Sequence, residues 1–279
     1  MNNKAFFKKV AKDIVDDELS ASFCGTQKKC IVVGNRVFLV IDIEGMKHSQ
    51  ETFLEKRQEY IQKVNQLSEK VNTPKILENG IFGNLYIEMQ ERAPGEYVGV
   101  FVENEIIKLI SEDNSNMSFD TMSNYTKLQL GQVLFEKNAR IQKTIKFAEN
   151  VEFEKMLKNI KQIYSAGFAI DLTGQNVLYD TKTGFHFIDL DEIPKNSNFQ
   201  DRDVLFCALA IFSAFGKYTS SMSPENGKII AKNNAALIRS VFGAAKFLNI
   251  SKKDFEALKK FAENFCMGLK LNNFDQDQK

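Results

Sequence analysis

The hydrophobic pattern changes character near Pro94-Gly95, and that change limits the possible folds more than any other feature of the chain. Before this point, short runs rich in β-branched residues alternate with two helix-like stretches; after it, apolar residues mostly recur three to four positions apart. The first pattern is typical of strands and the second of helices. A strand-rich first third followed by a helical remainder predicts an α+β protein with two lobes, residues 1–95 and residues 96–279.

The first lobe is predicted to contain a small antiparallel sheet and one long helix. Two β-branched runs flank Gly34-Asn35, a dipeptide that favours a tight hairpin. Ser49 is a suitable N-cap for the long helix, and Pro74 ends it. The predicted elements are an amphipathic helix over 4–15, a hairpin over 30–43, the long helix Ser49–Val71, and strands at Lys75–Glu78 and Leu85–Gln90 separated by an Asn-Gly turn.

The second lobe is predicted to be mainly helical with one short hairpin. Ser223 before Pro224 has the form of an N-cap followed by proline at the first helical position. The predicted helices are Glu103–Ser111, Tyr125–Ala148, Phe153–Ala166, Val204–Phe215, Pro224–Phe242 and Lys252–Leu269, and the predicted strands are Val177–Tyr179 and Phe185–Ile188.

Charge and composition narrow the class of protein. The 279 residues include 37 basic and 36 acidic side chains, so no net field favours nucleic acid or an anionic membrane surface as a partner. The four cysteines form no CxxC pair and there are only two histidines, which favours reduced thiols over a zinc site. The first residues contain no apolar run of signal-peptide length, so we expect a cytoplasmic protein, although a dedicated secretion machine would leave no mark here.

The stretch 168–193 carries the strongest chemical signal. Asp171 and Asn176 lie five residues apart, a short apolar strand follows, and Asp189 ends the next apolar strand. Phosphoryl transfer needs oxygen ligands that hold Mg²⁺ against nucleotide phosphates and a further carboxylate that orients the attacking hydroxyl. A hairpin brings its two ends together, so Asn176 and Asp189 can face one metal ion. The same residues would also suit a polar hairpin in which Asp and Asn cap turns.

This pattern resembles the catalytic loop of the protein-kinase-like superfamily, His-Arg-Asp-Leu-x-x-x-Asn followed by Asp-Phe-Gly. The chain has Asp171-Leu172, then Asn176, then Asp189-Leu190-Asp191. The resemblance implies a base-position role for Asp171 and metal-ligand roles for Asn176 and Asp189. Asp191 is a candidate second metal ligand, because alternate residues of an extended chain point to the same side.

The resemblance extends to the segment that joins the lobes. Residues 85–95, LYIEMQERAPG, resemble the superfamily's hinge, which binds adenine through its backbone. The resemblance places Met89 near the gatekeeper position and the hinge at 90–95, with Gln90, Glu91 and Ala93 as nucleotide-binding candidates. Gly25 is the one glycine of a degenerate phosphate loop.

The lysine that the superfamily places on a strand of the first lobe is missing here. The resemblance puts it near Val40, within RVFLVID, which contains no lysine. Glu59, or second Glu55, is the predicted helix carboxylate. The cation is predicted to be Lys29, with Lys28 as the alternative and Lys47 more remote.

Taken together, the resemblance implies an ATP-dependent phosphotransferase that uses Mg²⁺ and acts on a hydroxyl of a protein or a small molecule. Ala169-Ile170 replace the His-Arg pair, and only eleven residues separate Asp189 from Asp201. These departures favour small-molecule phosphotransferases and atypical bacterial kinases over regulated Ser/Thr kinases. The alternatives are a pseudokinase that serves as a nucleotide-binding or protein-binding scaffold, and an enzyme that transfers a nucleotidyl group.

Overall fold

A computed structural model describes residues 2–16, 19, 23–24, 29–44, 50–98, 124–146, 150–171, 176–194, 197–213 and 222–265. The chain divides into two compact units, 1–93 and 94–279. The first is built around an antiparallel sheet and the second is mainly helical, so the predicted α+β class is confirmed. Predicted elements at 103–111 and in the tail after 265, as well as Gly25, Lys28, Lys47 and Ser49, lie outside the described residues.

The sheet of the first unit has five strands in the order β1-β2-β3-β5-β4. The predicted hairpin at Gly34-Asn35 is confirmed, and it joins β2 to β3. The short strand β1 was not predicted. The elements of this unit are α1 (Asn3–Val15), β1 (Phe23–Cys24), β2 (Lys29–Val33), β3 (Arg36–Asp42), α2 (Gln50–Leu67), β4 (Ile76–Phe82) and β5 (Leu85–Glu91).

The two faces of this sheet have different partners, because successive strand residues point to opposite sides. Helix α1 packs on one face through four of the five residues that its periodicity predicted, Phe7, Val10, Ala11 and Ile14. The fifth, Val15, is exposed at the end of the helix. That face of the sheet presents Ile31, Phe38, Val40, Ile87 and Met89. The other face presents Ile41 and Tyr86 to Phe53 and Leu54 of α2. We call them the α1 face and the α2 face.

The predicted turn at Asn79-Gly80 is wrong. Both residues lie inside β4, which runs to Phe82, and the chain turns at Gly83-Asn84. Asn79 pairs with Glu88 and Gly80 pairs with Ile87 of β5, so both residues belong to the ladder between β4 and β5.

The second unit consists of helices around two small ladders of strands. Ser223 accepts a hydrogen bond from the Asn226 amide at 3.2 Å, which confirms the predicted N-cap. The elements are β6 (Glu96–Tyr97), α3 (Asn124–Lys146), α4 (Asn150–Ser165), β7 (Phe168–Ala169), β8 (Val177–Asp180), β9 (Gly184–Phe187), β10 (Asp191–Glu192), α5 (Asp201–Ser213), α6 (Pro224–Ala244) and α7 (Lys252–Phe265).

Apolar side chains of the hairpin anchor it on the helices. Phe185 of β9 lies 5.9 Å from Phe153 of α4 and 6.2 Å from Phe212 of α5, measured between ring centroids. All three rings are buried. This packing gives the hairpin a rigid support, so residues at its open end are held by the helical core. No helix in the described ranges is both long and apolar enough to cross a bilayer.

Candidate functional site

Two strand ladders meet at Asp189. In the first, β8 pairs antiparallel with β9, and the amide of Ile188 continues it with a 2.9 Å bond to the Asn176 carbonyl. In the second, β7 pairs antiparallel with β10, so that Ala169 faces Asp191. Asp189 therefore follows directly after Ile188, the last residue of the first ladder, and only Leu190 separates it from Asp191 in the second.

The register of the second ladder relates Asp171 to Asp189. Residue 168 pairs with 192 and residue 169 with 191. The amide of Ile193 donates to the Gly167 carbonyl at 3.0 Å, which extends the ladder in the same register. The pairing ends at Ala169 and Asp191. Asp171 and Asp189 each lie two residues beyond this last pair, at the same end of the ladder. Asn176 is joined through its backbone carbonyl to Ile188, the residue before Asp189.

Asp189 has an unusual backbone conformation, with φ of 51°. Among the residues that the structure describes, Asp189 is the only one other than glycine with a positive φ. Such a conformation costs most residues about 1–2 kcal/mol, and Asp is one of the few types besides glycine that adopt it, usually in turns. It also corrects the argument for Asp191. The chain is not extended at Asp189, so alternation does not put the two carboxylates on the same side.

The side chains of the candidate site are accessible to a ligand from solvent. Asp171, Asp189 and Asp191 are exposed, and Asn176 is half-buried. Carboxylate and amide oxygens are the ligand types that Mg²⁺ prefers. Among the described residues, no three His, Cys, Asp or Glu side chains form a metal-binding group. The candidate site thus combines an amide oxygen with carboxylates.

A hydrogen-bond network closes the other end of the same hairpin. Asp180 accepts bonds from the amides of Lys182 and Thr183 at 2.9 and 3.0 Å and from the Thr183 hydroxyl at 2.9 Å. The Thr183 hydroxyl oxygen lies 2.7 Å from Nε2 of His186. Since the hydroxyl hydrogen is directed to Asp180, Nε2 of His186 donates to Thr183. His186 thus has a structural role, and the site lies at the opposite end.

This network predicts a pH-dependent contribution to stability. Burial holds the pKa of His186 below its ordinary value, despite the opposing charge of Asp180. A depressed folded-state pKa stabilises the fold above the unfolded-state pKa of about 6.5 and loses that effect as pH falls through the folded value. We expect the melting temperature to decline below about pH 6.5 and the decline to be smaller in His186→Gln. Calorimetric scans across pH 4.5–7.5 test this; parallel curves for both proteins would contradict it.

In the first unit, Lys29 and Glu59 are not brought together. Lys29 lies directly across from Val40 and alternates with Ile31, so it belongs to the α1 face. Glu59 is exposed on α2, which packs on the other face. Met89 is also on the α1 face, in the core. Neither Lys29 nor Met89 shares the face that α2 covers.

The predicted hinge residues lie at the end of β5. Gln90 is half-buried, Glu91 is exposed and Ala93 is half-buried. The amide of Glu91 donates to the Lys75 carbonyl at 2.9 Å, and that of Arg92 to the Asn35 carbonyl at 3.2 Å. These two amides are engaged within the first unit, and the nucleotide-binding role of Gln90, Glu91 and Ala93 stays a prediction.

Sequence reasoning missed the main charged contact of the first unit. Arg57 of α2 forms a two-pronged ion pair with Glu88 of β5: Nε donates to Oε1, and Nη2 donates to Oε2 at 2.6 Å. The Tyr86 hydroxyl also donates to Oε1 of Glu88 at 2.9 Å. An ion pair thus joins α2 to β5, with the cation on the helix and the carboxylate on the strand. The predicted pair had the carboxylate, Glu59, on the helix.

Burial shapes the protonation of this cluster. Glu88 is fully buried, whereas the Arg57 side chain is 14% exposed. Burial opposes the charge of Arg57, but the hydrogen bond and charge of Glu88 outweigh it, and the pKa of Arg57 is raised. Burial and the Glu88 carboxylate raise the pKa of Tyr86. The cluster therefore contains a charged guanidinium, and the tyrosine donates a neutral hydrogen bond.

Comparisons with known proteins are limited to solved structures, because no family model and no curated protein matches the chain. The solved structures that match include three of WbdD, one of which is described as a bifunctional kinase-methyltransferase and one as a complex with the kinase inhibitor LY294002. Identity is 12% and TM-scores are 0.33 to 0.36. The matches cover 85% of this chain but only 47–49% of those chains, so this chain spans about half their length. Similarity at this level carries no argument about fold or function.

Proposed function

We propose that this chain is an ATP-dependent phosphotransferase of the protein-kinase-like type. The observation that supports the proposal is that the two ladders lead toward Asp189: one ends at Ala169 and Asp191, and the other continues through Ile188 to Asn176. The motif spacing and this topology are independent, since spacing alone does not decide which residues become neighbours.

The residues present fit a magnesium ion. The backbone carbonyl of Asn176 accepts the bond from the Ile188 amide, and the side-chain amide oxygen is the further oxygen of this residue that a metal ion could use. We propose that this side-chain oxygen and the carboxylate of Asp189 hold Mg²⁺. When bound, the ion would neutralise charge on the phosphate oxygens.

Asp171 is proposed to accept a hydrogen bond from the acceptor hydroxyl and to orient it toward the phosphorus atom. A hydroxyl of a protein or of a small molecule fits this role. Catalysis would then come from positioning and electrostatic stabilisation, without a covalent enzyme intermediate. ATP is the proposed phosphate donor.

Nucleotide binding is expected to depend on magnesium through Asp189. Calorimetric titration of ATP with Mg²⁺, and again with EDTA, should show the gain in affinity from the metal. Asp189→Ala should remove that gain, a loss of about tenfold or more, or roughly 1.4 kcal/mol. Glu192→Ala is the matched control, because it removes a nearby exposed carboxylate from the same segment. Equal magnesium dependence in wild type and Asp189→Ala would exclude the metal assignment.

A scaffold without turnover is the second candidate, favoured by the absence of lysine from β3. Phosphate release and autophosphorylation separate the two functions. If the protein is a kinase, Asp171→Asn should retain ATP binding and lose about a hundredfold or more of turnover. A wild-type protein that binds Mg-ATP but shows no phosphate release above the Asp171→Asn background would favour the scaffold.

A further inference from the structure

Helix α1 carries its exposed charge as a basic face. Its apolar side is occupied by the sheet of the first unit, through residues that include Phe7 and Ile14. The remaining surface of the helix contains four exposed lysines, which we call the lysine face: Lys4, Lys8, Lys9 and Lys12. Three of them recur every four residues, so they form a stripe about 12 Å long on one side of the helix.

The lysine face concentrates positive charge that its surroundings do not balance. Within the described part of the chain, none of its four side chains takes part in a hydrogen bond or an ion pair. Helix α1 contains four lysines and one aspartate, a net charge of +3, whereas the three glutamates of α2 are matched by three basic residues. The charge of +1 for the whole chain therefore conceals a local excess.

The stability of the helix does not account for this arrangement. Like charges four residues apart repel, which applies to Lys4 with Lys8 and to Lys8 with Lys12. The partial positive charge at the start of a helix favours acidic residues in the first turn, yet α1 has none there. The acidic residues of α1 and its C-cap, Asp13 and Asp16, both follow the last lysine. A surface that serves only solubility has both signs interspersed, so the pattern favours a partner with negative charge.

We propose that the lysine face binds the surface of an anionic phospholipid membrane. Such a surface presents many mobile negative headgroups in one plane, and each basic residue close to it strengthens binding about fivefold. Lysine suits this contact, because its flexible side chain ends in a compact charge that needs no paired acceptors. This inference goes beyond the proposed function and does not depend on it.

The buried side of α1 limits how the helix can bind. An interfacial helix inserts its apolar side among the lipid chains, but Phe7, Val10 and Ile14 of α1 already lie in the core of the first unit. Attachment is therefore electrostatic, reversible and sensitive to salt. For the same reason, α1 does not fit a protein groove that binds the apolar side of a basic helix.

Two other anionic partners fit less well. Proteins that bind single-stranded nucleic acid offer aromatic rings on which bases stack, whereas both aromatic residues of α1, Phe6 and Phe7, pack against Phe38 of the sheet. A second copy of the chain offers a complementary stripe on α2, which consists of Glu51, Glu55 and Glu59. However, Lys56 and Lys63 are exposed on the same helix. Exposed ion pairs contribute less than about fivefold each and must also offset the lost freedom of a whole second chain.

Co-sedimentation of the full chain with vesicles tests the proposal. We expect binding to vesicles that contain phosphatidylserine, little binding to phosphatidylcholine alone, and release when NaCl is raised from about 0.1 M to about 0.5 M. Lys8→Gln with Lys12→Gln should weaken binding to phosphatidylserine vesicles about 25-fold, whereas Lys8→Arg with Lys12→Arg should retain it. Lys252→Gln with Lys260→Gln is the matched control, because it removes the same charge from exposed positions of α7. The control should bind within about twofold of wild type.

Each outcome is decisive. Equal binding to the two kinds of vesicle, including none to either, or equal losses in the two glutamine pairs would overturn the proposal. Lysine-dependent self-association, or lysine-dependent binding of a single-stranded oligonucleotide, without binding to phosphatidylserine vesicles would assign the face to that partner and overturn it as well. Circular dichroism establishes that each variant is folded. Failure here leaves the proposed function intact, because no residue of the lysine face belongs to the candidate site.

Discussion

Replacing Gly95 with alanine is expected to destabilise the second unit by about 2–5 kcal/mol. Gly95 has φ of 99°, a conformation that costs other residues about 1–2 kcal/mol. A Cβ there would lie 2.8 Å from the Asp180 amide nitrogen and closer still to the Tyr179 carbonyl. Both are backbone atoms of β8 and cannot rotate away, so overpacking adds about 1–3 kcal/mol.

Scanning calorimetry measures this effect as a fall in melting temperature of about 5–15 °C. Gly167→Ala is the matched control, because φ of Gly167 is 84° and its Cβ would meet no atom within 4 Å. Gly167→Ala should therefore lower the free energy of unfolding only by the cost of a Cβ at positive φ. Equal shifts in the two variants would contradict the proposed clash with β8.

The same substitution is expected to affect the candidate site. Gly95 immediately precedes β6, which pairs with β8, and Asn176 lies directly before β8. Displacing β6 should therefore disturb the position of Asn176 and weaken magnesium-dependent ATP binding. Gly95 thus has a packing function in addition to its place next to the boundary between the units.

Removing one partner of the Arg57–Glu88 pair is expected to cost about 3–5 kcal/mol, because the other charge remains buried and uncompensated. Glu88→Ala should be the more damaging change, since Glu88 is fully buried and also accepts the Tyr86 hydroxyl bond. Urea or thermal unfolding of the single variants measures these losses. Losses below about 1 kcal/mol would show that the pair behaves as an exposed one.

The double variant Arg57→Met with Glu88→Leu separates charge from packing. A buried ion pair replaced by apolar residues of similar volume is often neutral or stabilising. We therefore expect the double variant to be more stable than either single variant, and the resulting coupling energy should exceed about 1 kcal/mol. Strict additivity would mean that Arg57 and Glu88 do not depend on one another. Tyr86→Phe gives the contribution of the hydroxyl bond.

The sequence alone determined the elements whose signal is local. Amphipathic periodicity predicted α1 with its buried Phe7 and Ile14, and Gly34-Asn35 predicted the hairpin of β2 and β3, because both depend on residues near in the chain. The spacing of Asp171, Asn176 and Asp189 identified the candidate site for the same reason. The three residues and the intervals between them lie within one continuous stretch of the sequence, 171–189.

Only the tertiary structure decided the features that join distant residues. Glu88 and Arg57 are separated by 31 positions, and each is an ordinary surface residue by composition. Asn79-Gly80 is a strong local turn signal, yet both residues lie inside β4 and pair with Glu88 and Ile87 of β5. The face on which Lys29 lies depends on strand register, and a shift of one residue would reverse it. Register, burial and helix placement are set by packing free energy over the whole unit, which no local pattern contains.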